Sequence, residues 1–279
     1  LREGDFTSAH NLVALSAAET WLTNGIDLIG RVTDGAWTWY RLTDQGHVSR
    51  LAAAPDGTVW AATALGVFSF DGAAWARRSE EAASALVAGA DGSVWIGGWA
   101  GCRAWLAHWD GASWARFDPP EGACNGTGGV PPPLAVTDAG EIWVAREPGW
   151  APHGFVHYDG TTWEEILVDG AVVSVWDIEV APEGDVWALG EGWGSDGRVL
   201  ARHDGTAWTV YDWPVPEAAS DIEVGPDGTV WLRSATGLRS HDGTAWTVHV
   251  QGTAITGLAI APDGTVWYGD ENGVHTLGS

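Results

Sequence analysis

The feature that most constrains this chain is a tryptophan closing a strand-like hexamer seven times. It recurs as Trp21, Trp60, Trp95, Trp143, Trp187, Trp231 and Trp267, at intervals of 35 to 48 residues. Self-similarity at such a period marks units that cannot bury their apolar face alone and must stack. A turn signal precedes most copies: Pro55-Asp56-Gly57, Ala90-Asp91-Gly92, Pro182-Glu183-Gly184, Pro226-Asp227-Gly228 and Pro262-Asp263-Gly264. A second signal follows, Asp-Gly and then another Trp, as in Asp34-Gly35 before Trp37, Asp71-Gly72 before Trp75 and Asp204-Gly205 before Trp208. Asp-Gly between β-prone runs is a strong hairpin signal, because Gly takes positive φ without steric cost. Each unit therefore reads as four short strands. Together they predict an all-β chain, a seven-bladed β-propeller of four-stranded antiparallel blades, with residues 1–279 as one domain.

The seventh unit is one strand short. Gly273-Val274-His275-Thr276-Leu277-Gly278 aligns with Gly66-Val67-Phe68-Ser69-Phe70-Asp71, and then the chain stops. At the other end Glu3-Gly4-Asp5-Phe6-Thr7 resembles Asp34-Gly35-Ala36-Trp37-Thr38. Residues 3–8 are therefore expected to pair with 273–278, closing the ring and removing an unpaired sheet edge. Composition agrees: 39 Gly and 13 Pro favour turns over helices, and 45% hydrophobic residues with 21 Trp can fill a sizeable core. A formal charge of −24 makes a nucleic-acid backbone a poor partner. No apolar run approaches about 18 residues, so no membrane insertion is expected. The absence of Met, even at position 1, reads as a processed or excised piece without a remaining signal peptide.

The repeats resemble the two-component-regulator propeller repeat. Gly225-Pro226-Asp227-Gly228-Thr229-Val230-Trp231 with Gly237-Leu238 carries the resemblance best. It implies a propeller from an extracellular or periplasmic sensor portion. A second resemblance links Thr23-Asn24-Gly25-Ile26-Asp27-Leu28-Ile29-Gly30-Arg31-Val32 to the streptogramin (virginiamycin B) lyase propellers.

In a four-stranded meander both tight turns of each unit lie at one rim, and the other connections lie at the opposite rim. The tight-turn rim is near-uniform in spacing and reads as scaffold. Length variation concentrates on the opposite rim, in the segments 97–105, 146–153 and 191–196 and in the crossing that holds Asp118-Pro119-Pro120-Glu121 and Pro131-Pro132-Pro133. Binding usually lives on such variable loops. Thirteen tryptophans occupy the two repeat positions and read as framework. Trp99, Trp105, Trp150, Trp193 and Trp213 fall on or near the variable rim, where each is either a ligand platform or a loop anchor. Cys102 and Cys124 lie in neighbouring loops of that rim and are expected to form a disulfide, which points to an extracellular, periplasmic or cell-surface location.

Ten aspartates are turn residues and are discounted. Four other carboxylates stand apart. Strand alternation turns Asp177, Glu179, Asp221 and Glu223 of the innermost strands toward the channel, with Arg50 facing them from another blade. Four like charges must be hydrated, partly protonated or paired with a cation, for which Ca²⁺ suits an all-oxygen set. No nucleophile elbow, phosphate loop or histidine metal cluster is present. Three functions remain open. One is an extracellular ligand-binding, sensor-type module taking a carbohydrate or a cationic small molecule or peptide on the variable rim. The second is a lyase or hydrolase using the channel carboxylates with a divalent metal. The third is a structural cell-surface or filament subunit whose rim meets a protein partner.

Overall fold

The structure, a computed structural model, describes residues 9, 11–42, 47–100, 103–117, 133–137, 140–145, 154–167, 174–191, 198–211 and 219–277. It is an all-β, seven-bladed propeller of antiparallel meanders, and among the described residues there is no helix, hence none long and apolar enough to cross a membrane. Blade 1 comprises β1 (Asn11–Ser16), β2 (Glu19–Thr23), β3 (Leu28–Thr33) and β4 (Ala36–Arg41), in that spatial order. Blade 2 comprises β5 (Val48–Ala53), β6 (Val59–Thr63), β7 (Gly66–Phe70) and β8 (Trp75–Ser79). Blades 3, 4, 5 and 6 repeat the plan from β9 (Ala85–Ala88), β13 (Leu134–Val136), β17 (Ser174–Val180) and β21 (Ala219–Val224). Blade 7 has three described strands, β25 (Gly257–Ile260), β26 (Val266–Asp270) and β27 (Gly273–Leu277). Residues 3–8, expected to pair with the last of these, lie outside the described residues.

The turns form for the reasons the sequence gives. In the first turn of blade 2, the Thr58 N–H donates to Asp56 Oδ1 at 2.8 Å and the Gly57 N–H to the Ala54 carbonyl at 2.9 Å. In the second turn, Asp71 Oδ1 accepts the Ala73 and Ala74 N–H groups at 2.9 and 3.0 Å. A short carboxylate two residues ahead of an amide closes the bend locally, so the turn forms without tertiary help.

The chain divides into two compact units. One unit holds blades 1, 2, 6 and 7, from residues 1–83 and 217–279. Its aromatic centre is Trp21, 1% exposed, stacked on Tyr40 at 5.4 Å and tilted on Phe70 at 5.0 Å. Glu19 accepts hydrogen bonds from both the Trp21 indole and Arg31, each at 2.8 Å, which satisfies a buried donor and a cation with one carboxylate. Blades 7 and 1 meet directly. The Trp267 indole N–H donates to the Ser16 carbonyl at 3.0 Å, and the Ala17 N–H donates to Asp263 Oδ2 at 2.8 Å. The first and last described blades are thus packed together within this unit.

The second unit holds blades 3, 4 and 5, from residues 84–216. Trp143, Phe155 and Trp208 form its aromatic centre, with Phe155 stacked on Trp208 at 5.0 Å and 13°. Six of the seven hexamer tryptophans are 6% exposed or less, and Trp231 is half-buried. The tryptophans that follow Asp-Gly are all half-buried, as outer-strand residues covering a blade edge should be.

Candidate functional site

Trp150, Trp193 and Trp213 and both cysteines, Cys102 and Cys124, lie outside the described residues. Trp99 lies in β10 (Val94–Ala100), its backbone paired with Ala104 of β11 (Arg103–Trp109). That pairing changes the reading of segment 97–105. Most of it is a regular extension of two paired strands rather than a long loop. Trp105 is buried, 5% exposed, with the Arg116 guanidinium 5.1 Å above its ring. Gly98 makes room for it, since a Cβ there would stand 2.9 Å from Trp105 Cζ2. Trp105 is therefore an anchor fixing the extended hairpin and offers no open ring face.

The four carboxylates divide between the two units. Asp177 is buried at 9% exposure beside a bulge in β17, and Oδ1 accepts the adjacent Ile178 N–H at 3.1 Å. Glu179 is half-buried on the same strand. Asp221, in the other unit, is held by Arg233 at 2.6 Å, and Arg233 also reaches Ser220 Oγ at 3.0 Å. Asp221 is thus committed to a side-chain cation rather than presented to a metal. Among the described residues no group of three or more His, Cys, Asp or Glu is placed to hold a metal ion. Arg50 is half-buried on β5, at an irregularity between Val48 and Arg50, opposite Ala62.

The structure does provide a cavity, and it lies inside the first unit. It is a cup of about 690 Å³ where the innermost strands of blades 7, 1 and 2 run into their first tight turns. Leu12, Val13, Ala14 and Leu15 of β1 form one wall. Ala53 and Ala54 form a second, and Ala259 with Ile260 a third. Pro55, Asp56, Gly57 and Pro262 make the lip. Among the described residues, Glu223 of blade 6 is the charged residue on the inner wall, and Asp56 is the charged residue on the lip. The volume is that of a small-molecule site. Glu223, one of the four carboxylates singled out in the sequence, lines this cup together with Ala259. The position along the strands is the surprise: the cup opens among the tight turns, the rim assigned to scaffold.

Sequence features explain the space. The inner strands end in small residues, Ala52-Ala53-Ala54 in blade 2 and Ala259 in blade 7. Blade 1 departs from the repeat, turning through Ser16-Ala17-Ala18 where blades 2, 6 and 7 carry Pro-Asp-Gly. That departure was the readable signal, and regularity elsewhere masked it. The walls are tied together: Asn11 Oδ1 accepts the Leu51 N–H across blades 1 and 2, while Asp263 caps the blade 1 turn through Ala17. Asp56 keeps one oxygen on the Thr58 amide.

No family model matches the chain, and no curated protein matches it. Solved structures do. A catalytically inactive virginiamycin B lyase from Staphylococcus aureus with quinupristin superposes with a TM-score of 0.76 at 15% identity, covering 98% of this chain and 96% of the lyase. The extracellular domain of the putative hybrid two-component system BT3049 from B. thetaiotaomicron gives a TM-score of 0.70 at 13% identity, over 96% of this chain and 38% of that one. YCF48 bound to the D1 peptide gives 0.68 at 15% identity, over 96% and 92%. Both groups that the repeats resemble are therefore among the structural neighbours. At these identities the likeness carries the fold alone.

Proposed function

We propose that this chain is a ligand-binding propeller module of the extracellular or cell-surface kind, and that the cup beside Glu223 receives a small molecule. The observation that carries the reading is the cavity itself: about 690 Å³, walled by aliphatic side chains, with charge at a small number of points. Neighbouring propellers lend support, one solved with quinupristin, one bound to a peptide and one the extracellular domain of a putative hybrid two-component system. Binding is favoured over catalysis because, among the described residues, Glu223 is the charged residue on the inner wall and the oxygen Oδ1 of Asp56 is already engaged by its own turn. An acid–base pair would need two carboxyl groups facing one reacting bond.

A small-molecule screen by ligand-observed NMR against the wild type and Ala53→Phe tests this. Ala53 is half-buried on the cup wall, so a phenyl ring there fills space with little disturbance of the core. Hits that bind the wild type and lose at least tenfold in affinity to Ala53→Phe support the cup. Hits that bind both proteins equally place recognition elsewhere. We also propose that Cys102 and Cys124 are joined, which would place the chain in an oxidising compartment. Intact mass before and after reduction, with alkylation of free thiols, reads this directly, and two alkylated thiols without reduction contradict it.

A further inference from the structure

The strand position facing the hexamer tryptophan carries a clamp in several blades. In blade 1, Arg31 is paired opposite Trp21, lies over its ring at 5.3 Å and binds Glu19, two residues before the tryptophan, at 2.8 Å. In blade 5, Arg202 is paired opposite Trp187, lies 5.9 Å from its ring and binds Asp185, again two residues before it, at 2.6 Å. A guanidinium stays charged throughout the range in which proteins fold, so both clamps are permanent.

Blade 4 builds the same clamp from a base that can lose its charge. His157 of β15 (Gly154–Tyr158) is paired opposite Trp143 of β14 (Ile142–Ala145), with ring centroids 4.4 Å apart. Glu141, two residues before the tryptophan, places Oε2 3.5 Å from His157 Nε2. A second carboxylate reaches the other nitrogen: Glu164 Oε1, on the outer strand β16 (Trp163–Leu167), lies 2.9 Å from Nδ1. A neutral imidazole has one N–H and one lone pair, so it faces one of these carboxylates with a donor and the other with a lone pair. The imidazolium presents a donor to both. Blade 3 also faces its tryptophan with a histidine, His108, but Ser93 stands where the acid would be.

We infer that His157 is a proton-operated latch, tying the first turn of blade 4 to its outer strand when charged and releasing one of the two carboxylates when neutral. The latch belongs to the second unit and is independent of the cup. Among the described residues, the titratable groups facing the ring are Glu141, Glu164 and His203 of β19 (Arg198–His203), whose ring lies against Trp143 at 5.3 Å. Burial pushes His203 below the ordinary histidine value, Asp204 opposes that and His157 lowers it further, so a charge on His157 meets no second charge there. A base with acidic partners contributes while it is charged and stops contributing as pH rises, here through the histidine range of roughly 5 to 8. That is opposite in sign to buried His203, so the latch is read from differences between proteins at one pH.

Thermal unfolding of the wild type, Glu164→Gln, His157→Gln and the double variant at about pH 5.5 and about pH 8 tests this. Each single variant is expected to melt a few degrees below the wild type at the lower pH, with that gap at least halved at the higher pH. Packing lost with the ring would lower the midpoint equally at both. At the lower pH the two single gaps should exceed the gap of the double variant when summed, since both remove one interaction. Glu164 is exposed on the outer strand, so its variant keeps the comparison should His157→Gln not fold. Equal gaps at the two pH values, or a gap that widens at the higher one, overturn the latch. Additive gaps overturn the pairing of His157 with Glu164.

Discussion

The turn aspartates and the buried histidines pull the pH response of this protein in recognisable ways. Asp204 is held well below the ordinary carboxylate range by the Thr206 hydroxyl and the Ala207 and Thr206 amides, and Asp242 is lowered to about 2 by the equivalent groups of Thr244 and Ala245. A depressed acid binds its proton less readily folded than unfolded, so its contribution is present above the ordinary value near 3.8 and is lost as pH falls toward about 2. Burial pushes His203, and partial burial His108, below the ordinary 6.5. Here the unfolded chain takes up protons first, so stability is full above about 6.5 and declines on acidification below it. His203 is the best-defined case. Its Nδ1 accepts the Gly205 N–H at 3.3 Å, and its ring packs on Trp143 and Trp208, while Asp204, Asp185 and Glu164 oppose the effect of burial. The thermal midpoint is predicted to fall between pH 7 and 5, with a shallower fall in His203→Gln. A midpoint that rises over that interval contradicts the assignment.

The blade is the element on which sequence reading succeeded most fully, because its determinants are local. Period, Asp-Gly turns and alternating strands were all legible, and each works within about ten residues of chain. Gly237 shows how strict the pattern is. It opens β23 (Gly237–His241) at φ +155°, and a Cβ there would run into the Val250 carbonyl oxygen of the neighbouring strand. Gly237→Ala is expected to cost about 1–3 kcal/mol, read as a lower denaturant midpoint with unchanged slope. A neutral effect would mean that the outer strand yields at little cost. Segment 97–105 is where local reading misled: its extra length, read as rim variation, is largely paired strand, with Gly97 and Gly98 as strand positions kept small for Leu106 and Trp105. Gly98→Ala should loosen the Trp105 anchor and speed amide exchange along β10 and β11 without unfolding the other blades. Unchanged exchange there would contradict the anchoring role.

For the whole molecule, the fold was written in the repeat but the cup was not. Its walls come from residues near 12, 53, 223 and 260, so the space depends on how strands from both ends of the chain pack. No local pattern encodes such a void, and Ala52-Ala53-Ala54 reads as easily as ordinary small strand residues. The ends of the chain matter for the same reason. We propose that residues 3–8 supply the outer strand of blade 7, against β27. Removing residues 1–8 should then lower the thermal midpoint by several degrees through an unpaired edge, and an unchanged midpoint would contradict the pairing. The central claim is more direct to examine: a crystal of the protein soaked with a compound that the ligand screen returns. The account predicts density for the compound in the cup between Leu12, Val13 and Ile260. Density on the opposite rim with the cup vacant would contradict it.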